Sequence, residues 1–216
     1  MKRARFSSLS RLIIAIIAWF ALALQLFILI DNTPGNGLTP LQAMGRFLIF
    51  FTVLSNLLVA VSLTIGLINP SSSLGNFFAT SFSTAAIAVY IFIVGLVYNI
   101  VLRQLWQPHG LQKVADELLH VAVPVLYTLY WIVYASTGSL KWKYSFGWLI
   151  FPLIYLIYAM VRGGLEGFYP YPFLDLGKLS VTKVFLNCLA LSSAFLLVGF
   201  LFIGADKILS RYKKRR

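Results

Sequence analysis

The stretch Leu12-Ile13-Ile14-Ala15-Ile16-Ile17-Ala18-Trp19-Phe20-Ala21-Leu22-Ala23-Leu24-Gln25-Leu26-Phe27-Ile28-Leu29-Ile30 holds 19 residues with one polar interruption, Gln25. At a rise of ~1.5 Å per residue such a run crosses the hydrocarbon core of a bilayer as a helix. Five similar runs follow at about Phe47 to Leu67, Thr80 to Val101, Leu118 to Tyr134, Trp148 to Met160 and Thr182 to Ile203. Clusters of turn formers separate them: Asp31-Asn32-Thr33-Pro34-Gly35, Asn69-Pro70-Ser71-Ser72-Ser73-Leu74-Gly75, Gln107-Pro108-His109-Gly110 and Ser136-Thr137-Gly138-Ser139. Before the last run, Arg162 to Ser180 carries Tyr169-Pro170-Tyr171-Pro172-Phe173-Leu174-Asp175, too proline-rich for helix and aromatic enough for the headgroup level. With 60% hydrophobic and 11% charged residues in a chain of 216, the expected fold is a single all-α transmembrane bundle of six helices. No extramembrane domain fits beside it.

The basic segment Met1 to Arg5 before the first run, and Ala21-Leu22-Ala23 within it, raise the alternative of a cleaved signal peptide. The run continues five apolar residues beyond Gln25, whereas a signal core stops before its cleavage site, so a retained span is expected. Six spans divide the 18 Lys and Arg into 12 on the side of the termini and 6 on the other. The positive-inside rule then places both termini, including a basic tail at 207–216, in the cytoplasm. That tail also suits anionic headgroups. A net charge of +12 therefore reads as topology, and no nucleic-acid partner is expected. Cys188 is the one cysteine, which excludes an intrachain disulfide and a thiolate cage. With two histidines, His109 in a turn and His120 in a span, neither a metal centre nor a haem is expected, and no other cofactor.

Polar side chains inside a span face the bundle interior and carry a role. They are Gln25, Thr52, Asn56, Asn99, His120 and Asn187. Counted along each helix from the nearest charged residue, Thr52, His120, Asn187, Asn99 and Gln25 all lie ~4–9 Å in from the same, extracytoplasmic, side. A shared pocket is the simplest single cause. His120, Pro124, Tyr127, Trp131 and Tyr134 form one stripe, read as a wet aromatic face, and Pro124 leaves the His120 carbonyl without its helical partner. Thr52, Ser55, Asn56 and Ser62 share another face. The plainer readings are that Thr52 bonds the carbonyl of Leu48 and that the three asparagines join helices. His120 stands out, with Asp116 and Glu117 one turn before it.

Phe50 to Leu58, Tyr98-Asn99-Ile100-Val101-Leu102-Arg103, Leu118 to Pro124, and Arg162-Gly163-Gly164 with Tyr169-Pro170-Tyr171-Pro172-Phe173 resemble the androgen-induced-protein (FAR-type) multipass membrane family, especially its bacterial branch. The likeness runs from the second span to the sixth. It implies a six-span hydrolase of fatty acid esters of hydroxy fatty acids, with an intramembrane threonine and histidine on separate helices. Thr52 and His120 take the positions of that pair. A multipass protein of the bacterial cytoplasmic (inner) membrane is the localisation implied.

Threonine becomes a nucleophile when an adjacent base takes its proton, and neutral histidine is the usual base. Asn56, Asn187, Asn99 and Gln25 are the oxyanion or pocket candidates, Glu117 and Asp175 the candidates to orient His120, and Arg46, Lys113, Arg162 and Lys183 the candidates to hold an amphiphile's carboxylate. The expected partner is a membrane lipid or lipid-like ester; the sequence leaves the oligomeric state open. Two other classes stay open, a non-catalytic lipid-binding or scaffold protein and a small transporter. Against the transporter, no pair of Gly/Pro-broken helices recurs in the two halves.

Overall fold

A computed structural model describes residues 2–32, 37, 39–135 and 138–214, with side chains from Phe6 to Tyr212. Thr33-Pro34-Gly35, Ser136-Thr137 and the tail's last two residues lie outside the described residues, as do the side chains of Lys2, Arg3, Arg5, Lys213 and Lys214.

The described chain is helical, without strands. The helices are α1 (Lys2–Asp31), α2 (Pro40–Leu48), α3 (Phe51–Ile68), α4 (Ser73–Ala79), α5 (Ser81–Val97), α6 (Gly110–Glu117), α7 (Val123–Tyr130), α8 (Tyr144–Gly147), α9 (Ile150–Glu166) and α10 (Val181–Lys214). Three π-helical turns, at Tyr98–Leu102, Leu118–Ala122 and Trp131–Ala135, extend α5, join α6 to α7 and extend α7. Six continuous helical segments are long and apolar enough to cross a membrane: Phe6–Asp31, Phe51–Ile68, Ser81–Leu102, Gly110–Ala135, Tyr144–Glu166 and Val181–Tyr212. The protein is thus a multipass helical bundle.

Small residues set the tightest packing. Ala18 and Ala21 of α1 and Val59 and Ala60 of α3 are fully buried, because a methyl-sized face lets two backbones approach where lipid offers no hydrophobic driving force. Trp19 donates its indole N–H to Thr64 (3.0 Å) across the same contact. At Gly95 of α5 an added Cβ would stand 3.1 Å from the Pro124 ring and 3.2 Å from the His120 carbonyl oxygen, so glycine lets α5 close on α7 there.

Several expectations are corrected. The first, fourth, fifth and sixth helical spans outrun their apolar runs, since the backbone bonding continues through the flanks; α10 carries on through the basic residues to Lys214. The second run breaks: α2 ends at Leu48, Phe50 is extended (φ −86°, ψ 127°), and α3 begins at Phe51. The stripe below His120 is closed in its middle, where Tyr127 and Trp131 are 1% and 2% exposed and Trp131 packs on Phe202. Asp206, buried in α10, caps the fourth loop by accepting from the N–H groups of Gly138 (2.8 Å) and Leu140 (3.1 Å).

The α9–α10 connection is seated on Gly163, where a Cβ would run into the ring of Tyr169; at Gly164 it would meet nothing. Gly163→Ala is expected to lower stability by about 1–3 kcal/mol. Gly164→Ala should leave the thermal midpoint of the purified protein within a degree or two, a paired melt that isolates the Tyr169 contact.

Candidate functional site

The break before Phe51 sets the geometry of the site. In an apolar surrounding each carbonyl and N–H freed by a helix break needs a partner. Two tyrosine hydroxyls supply them. Tyr155 of α9 donates to the Ile49 carbonyl (3.0 Å), and Tyr171 of the connection accepts from the Thr52 N–H (3.3 Å). Thr52 therefore sits in the first turn of α3, where backbone N–H groups have no helical acceptor. Its hydroxyl, 7% exposed as a residue, is not held by Leu48 but lies 3.3 Å from His120 Nε2 and 3.5 Å from the Tyr171 hydroxyl.

His120 stands in the π turn between α6 and α7. Its Nδ1 lies 2.9 Å from the Asp116 carbonyl and 3.2 Å from Asp116 Oδ1. Both are acceptors, so Nδ1 carries the proton and Nε2 presents its lone pair to the Thr52 hydroxyl. Tyr98, from the π turn after α5, donates to the second oxygen of Asp116 and stacks on the imidazole (centroids 4.1 Å, 18° between planes). Arg103 lies over the other side of this assembly, 5.1 Å from the Tyr98 ring centroid, and pairs with Glu117 at 2.8 Å. A hydroxyl, an imidazole and a carboxylate thus follow one another in the order Thr52, His120, Asp116.

Beside Thr52 opens a cavity of about 710 Å³, mouth included, between α3, α5, α9 and α10. Apart from the hydroxyls of Thr52 and Tyr171 its walls are largely apolar, among them Val97, Leu156, Leu191 and Phe195. Phe173 closes it near Tyr171, on which it stacks at 5.1 Å. Burial raises the Tyr171 phenol above its usual pKa, so it remains a protonated donor.

The carboxylate beside His120 is Asp116; Glu117 points to Arg103, and Asp175 accepts from Gly177 N–H (2.9 Å) and faces Lys178 at 3.4 Å. The shared polar pocket is smaller than expected. Gln25 accepts from Gln112 (2.8 Å), tying α1 to α6. Asn99 is exposed and donates to its own helix at Gly95 (2.8 Å). Asn187 donates to the Phe173 carbonyl (2.9 Å) and so positions the connection. Asn56 is fully buried and donates to the carbonyls of Thr52 (2.9 Å) and Leu119 (3.1 Å), joining the two helices that carry the pair. Its amide donors are thereby occupied and are not directed at the Thr52 hydroxyl.

Among the candidate cations, Arg162 is held by Glu166, the Gly45 carbonyl (2.7 Å) and the Tyr158 hydroxyl (3.0 Å). Arg46 lies over Phe168 at 4.6 Å, and Lys113 and Lys183 are exposed. Sequence reading missed Tyr98 and Tyr171 as site residues; both sit in the segments that carry the family resemblance, where aromatics read as packing. No protein-family model, curated protein or solved structure matches the chain.

Asn56→Ala leaves two backbone carbonyls of the site without their donor and is expected to cost about 1–3 kcal/mol. Asn99→Ala, which frees only a helix-internal bond at the surface, should leave the melt unchanged. Equal melting of the two variants would contradict the role given to Asn56.

Proposed function

We propose that the protein is an intramembrane hydrolase of fatty-acyl carboxylic esters, with Thr52 as nucleophile and His120 as base. The observation that carries the reading is the 3.3 Å approach of the Thr52 hydroxyl to an Nε2 whose lone pair is directed by Asp116, at the end of an apolar cavity. An acyl chain in that cavity brings its ester carbon to Thr52. As the hydroxyl oxygen attacks, its proton passes to His120 Nε2. The carbonyl oxygen, now negative, is met by the Tyr171 hydroxyl at the N-terminus of α3, whose dipole favours an anion. Collapse breaks the ester bond, and the departing alcohol takes the proton from His120. Water then attacks the acyl-threonine, giving it up as a carboxylic acid, with His120 again the base.

The resemblance to the androgen-induced-protein family supports a fatty acid ester of a hydroxy fatty acid as the substrate class. In this reading Arg46, Lys113 and Lys183 remain for the substrate's carboxylate, whereas Arg162 serves the fold. The 12-to-6 distribution of Lys and Arg supports cytoplasmic termini and an extracytoplasmic site, in the inner membrane of a bacterium. A lipid-binding protein without catalysis would use the same cavity. It lacks a reason for the ordered Thr52–His120–Asp116 sequence.

Purified protein should hydrolyse long-chain fatty acid esters and label with a fluorophosphonate. Thr52→Ala and His120→Ala are expected to abolish both, and Tyr171→Phe to lower kcat on the order of 100-fold, the usual effect of losing one oxyanion donor. Wild-type turnover in Thr52→Ala and His120→Ala would sink the hydrolase reading; retained lipid binding without turnover in the unmodified protein would favour the binding role.

A further inference from the structure

A second cavity, about 800 Å³ with its mouth, lies at the end of the bundle opposite Thr52, between α1, α3, α4, α5 and α7. Unlike the first it is half polar in character. The side chains that give it this character are Arg11, Ser62, Thr84, Tyr127, Tyr130 and Tyr134. Arg11 is its one charged residue. The guanidinium donates from Nε to the Tyr130 hydroxyl (2.7 Å) and lies 5.8 Å from the centroid of that ring. One edge of the guanidinium fork is fixed in this way.

The carboxylates are engaged elsewhere. Asp116, Glu117, Glu166 and Asp175 face His120, Arg103, Arg162 and Lys178. Asp206 receives the N–H groups of Gly138 and Leu140, and Asp31 ends α1, twenty residues and ~30 Å beyond Arg11. None of these six lines the cavity. Because Tyr130 accepts from Arg11, its own O–H is free to donate to a third group. A planar cation with a phenol donor beside it, in a recess flanked by Leu63, Phe78 and Ala135, is complementary to a tetrahedral oxyanion that carries an apolar remainder.

We propose that this cavity is a binding site for a phosphate ester, held by the Arg11 guanidinium and the Tyr130 hydroxyl, with an anionic phospholipid headgroup or a soluble phosphate as its source. The site is independent of the Thr52 chemistry: it lies at the other end of the bundle and shares no lining residue with the first cavity.

The test uses the purified full chain in a non-ionic detergent. Its thermal midpoint is followed during titration with phosphatidic acid, with diacylglycerol of the same chains, and with inorganic phosphate. Saturable stabilisation by phosphatidic acid and none by diacylglycerol is expected. Arg11→Gln should weaken the phosphatidic acid response at least tenfold and Tyr130→Phe several-fold, while Arg211→Gln, in the basic tail, leaves it unchanged. A saturable response to inorganic phosphate that competes with phosphatidic acid supports the site and assigns it a soluble ligand; a response confined to the lipid assigns the headgroup. If Arg11→Gln does not fold, Arg11→Lys keeps the charge but loses the fork. Wild-type affinity in both Arg11→Lys and Tyr130→Phe overturns the proposal, as does a response that Arg211→Gln reduces as much as they do.

Discussion

The demand that every freed backbone group find a partner inside a bilayer governs the candidate site. A helix that ran unbroken from Pro40 to Ile68 would hold Thr52 N–H against Leu48 and offer the hydroxyl the same carbonyl. The break at Ile49–Phe50 removes that arrangement. Its cost is met by Tyr155 and Tyr171, from an adjacent helix and the following connection, which cap the two loose ends. The same interactions that make the break tolerable thus deliver Thr52 at a helix N-terminus with a phenol beside it. Structure and chemistry share one pair of tyrosines, and Asn187 and Gly163 hold the connection that carries one of them.

The two π turns solve a matching problem on the other side. Pro124 cannot supply the N–H that would bond His120, and an α-helix would kink there. One extra residue in the turn Leu118–Ala122 lets Val123 N–H reach Leu118 O, so the ladder stays bonded up to the residue before the proline. Asp116, four residues before His120, lies at the spacing where side chains meet along a helix, and its carboxylate reaches His120 Nδ1. In the turn Tyr98–Leu102 Arg103 N–H likewise reaches the Tyr98 carbonyl (2.8 Å), and Tyr98 faces inward over the imidazole. π turns are disfavoured in themselves and gather at functional sites. Here one of them carries His120 and another carries the tyrosine that stacks on it.

Which of this the sequence discloses follows from what each signal measures. Six apolar runs disclose six helices, because length and hydropathy are properties of single segments. Depth is also a single-segment property, and it correctly brings Thr52 and His120 to one level. It carries no information on azimuth, so Asn99 at the same level faces outward and Gln25 meets Gln112 instead. Spacing also cannot separate Asp116 from Glu117, since residues three and four before His120 both neighbour it on a helix; Arg103, from another segment, takes Glu117. The break at Phe50 is invisible because Ile49 and Phe50 are as apolar as their neighbours; its only trace is in Tyr155 and Tyr171, far along the chain. Tyr98 and Asp206 are hidden differently, one as an aromatic among aromatics, the other behind the basic tail that follows it.

The two cavities place opposite demands on the same bundle. Around Thr52 the walls are apolar and the polar atoms few, so an ester would meet its donors in a low-dielectric surrounding where each is worth most. Around Arg11 the recess is half polar and holds a fixed cation. They lie at opposite ends of α3, whose middle, Val59, Ala60 and Leu63, is buried in the core shared with α1 and α5. A middle of small and branched residues keeps the Thr52 hydroxyl at one end of α3 and Ser62 near the other in register, so the apolar cavity and the half-polar recess are built on one helix without sharing a lining residue.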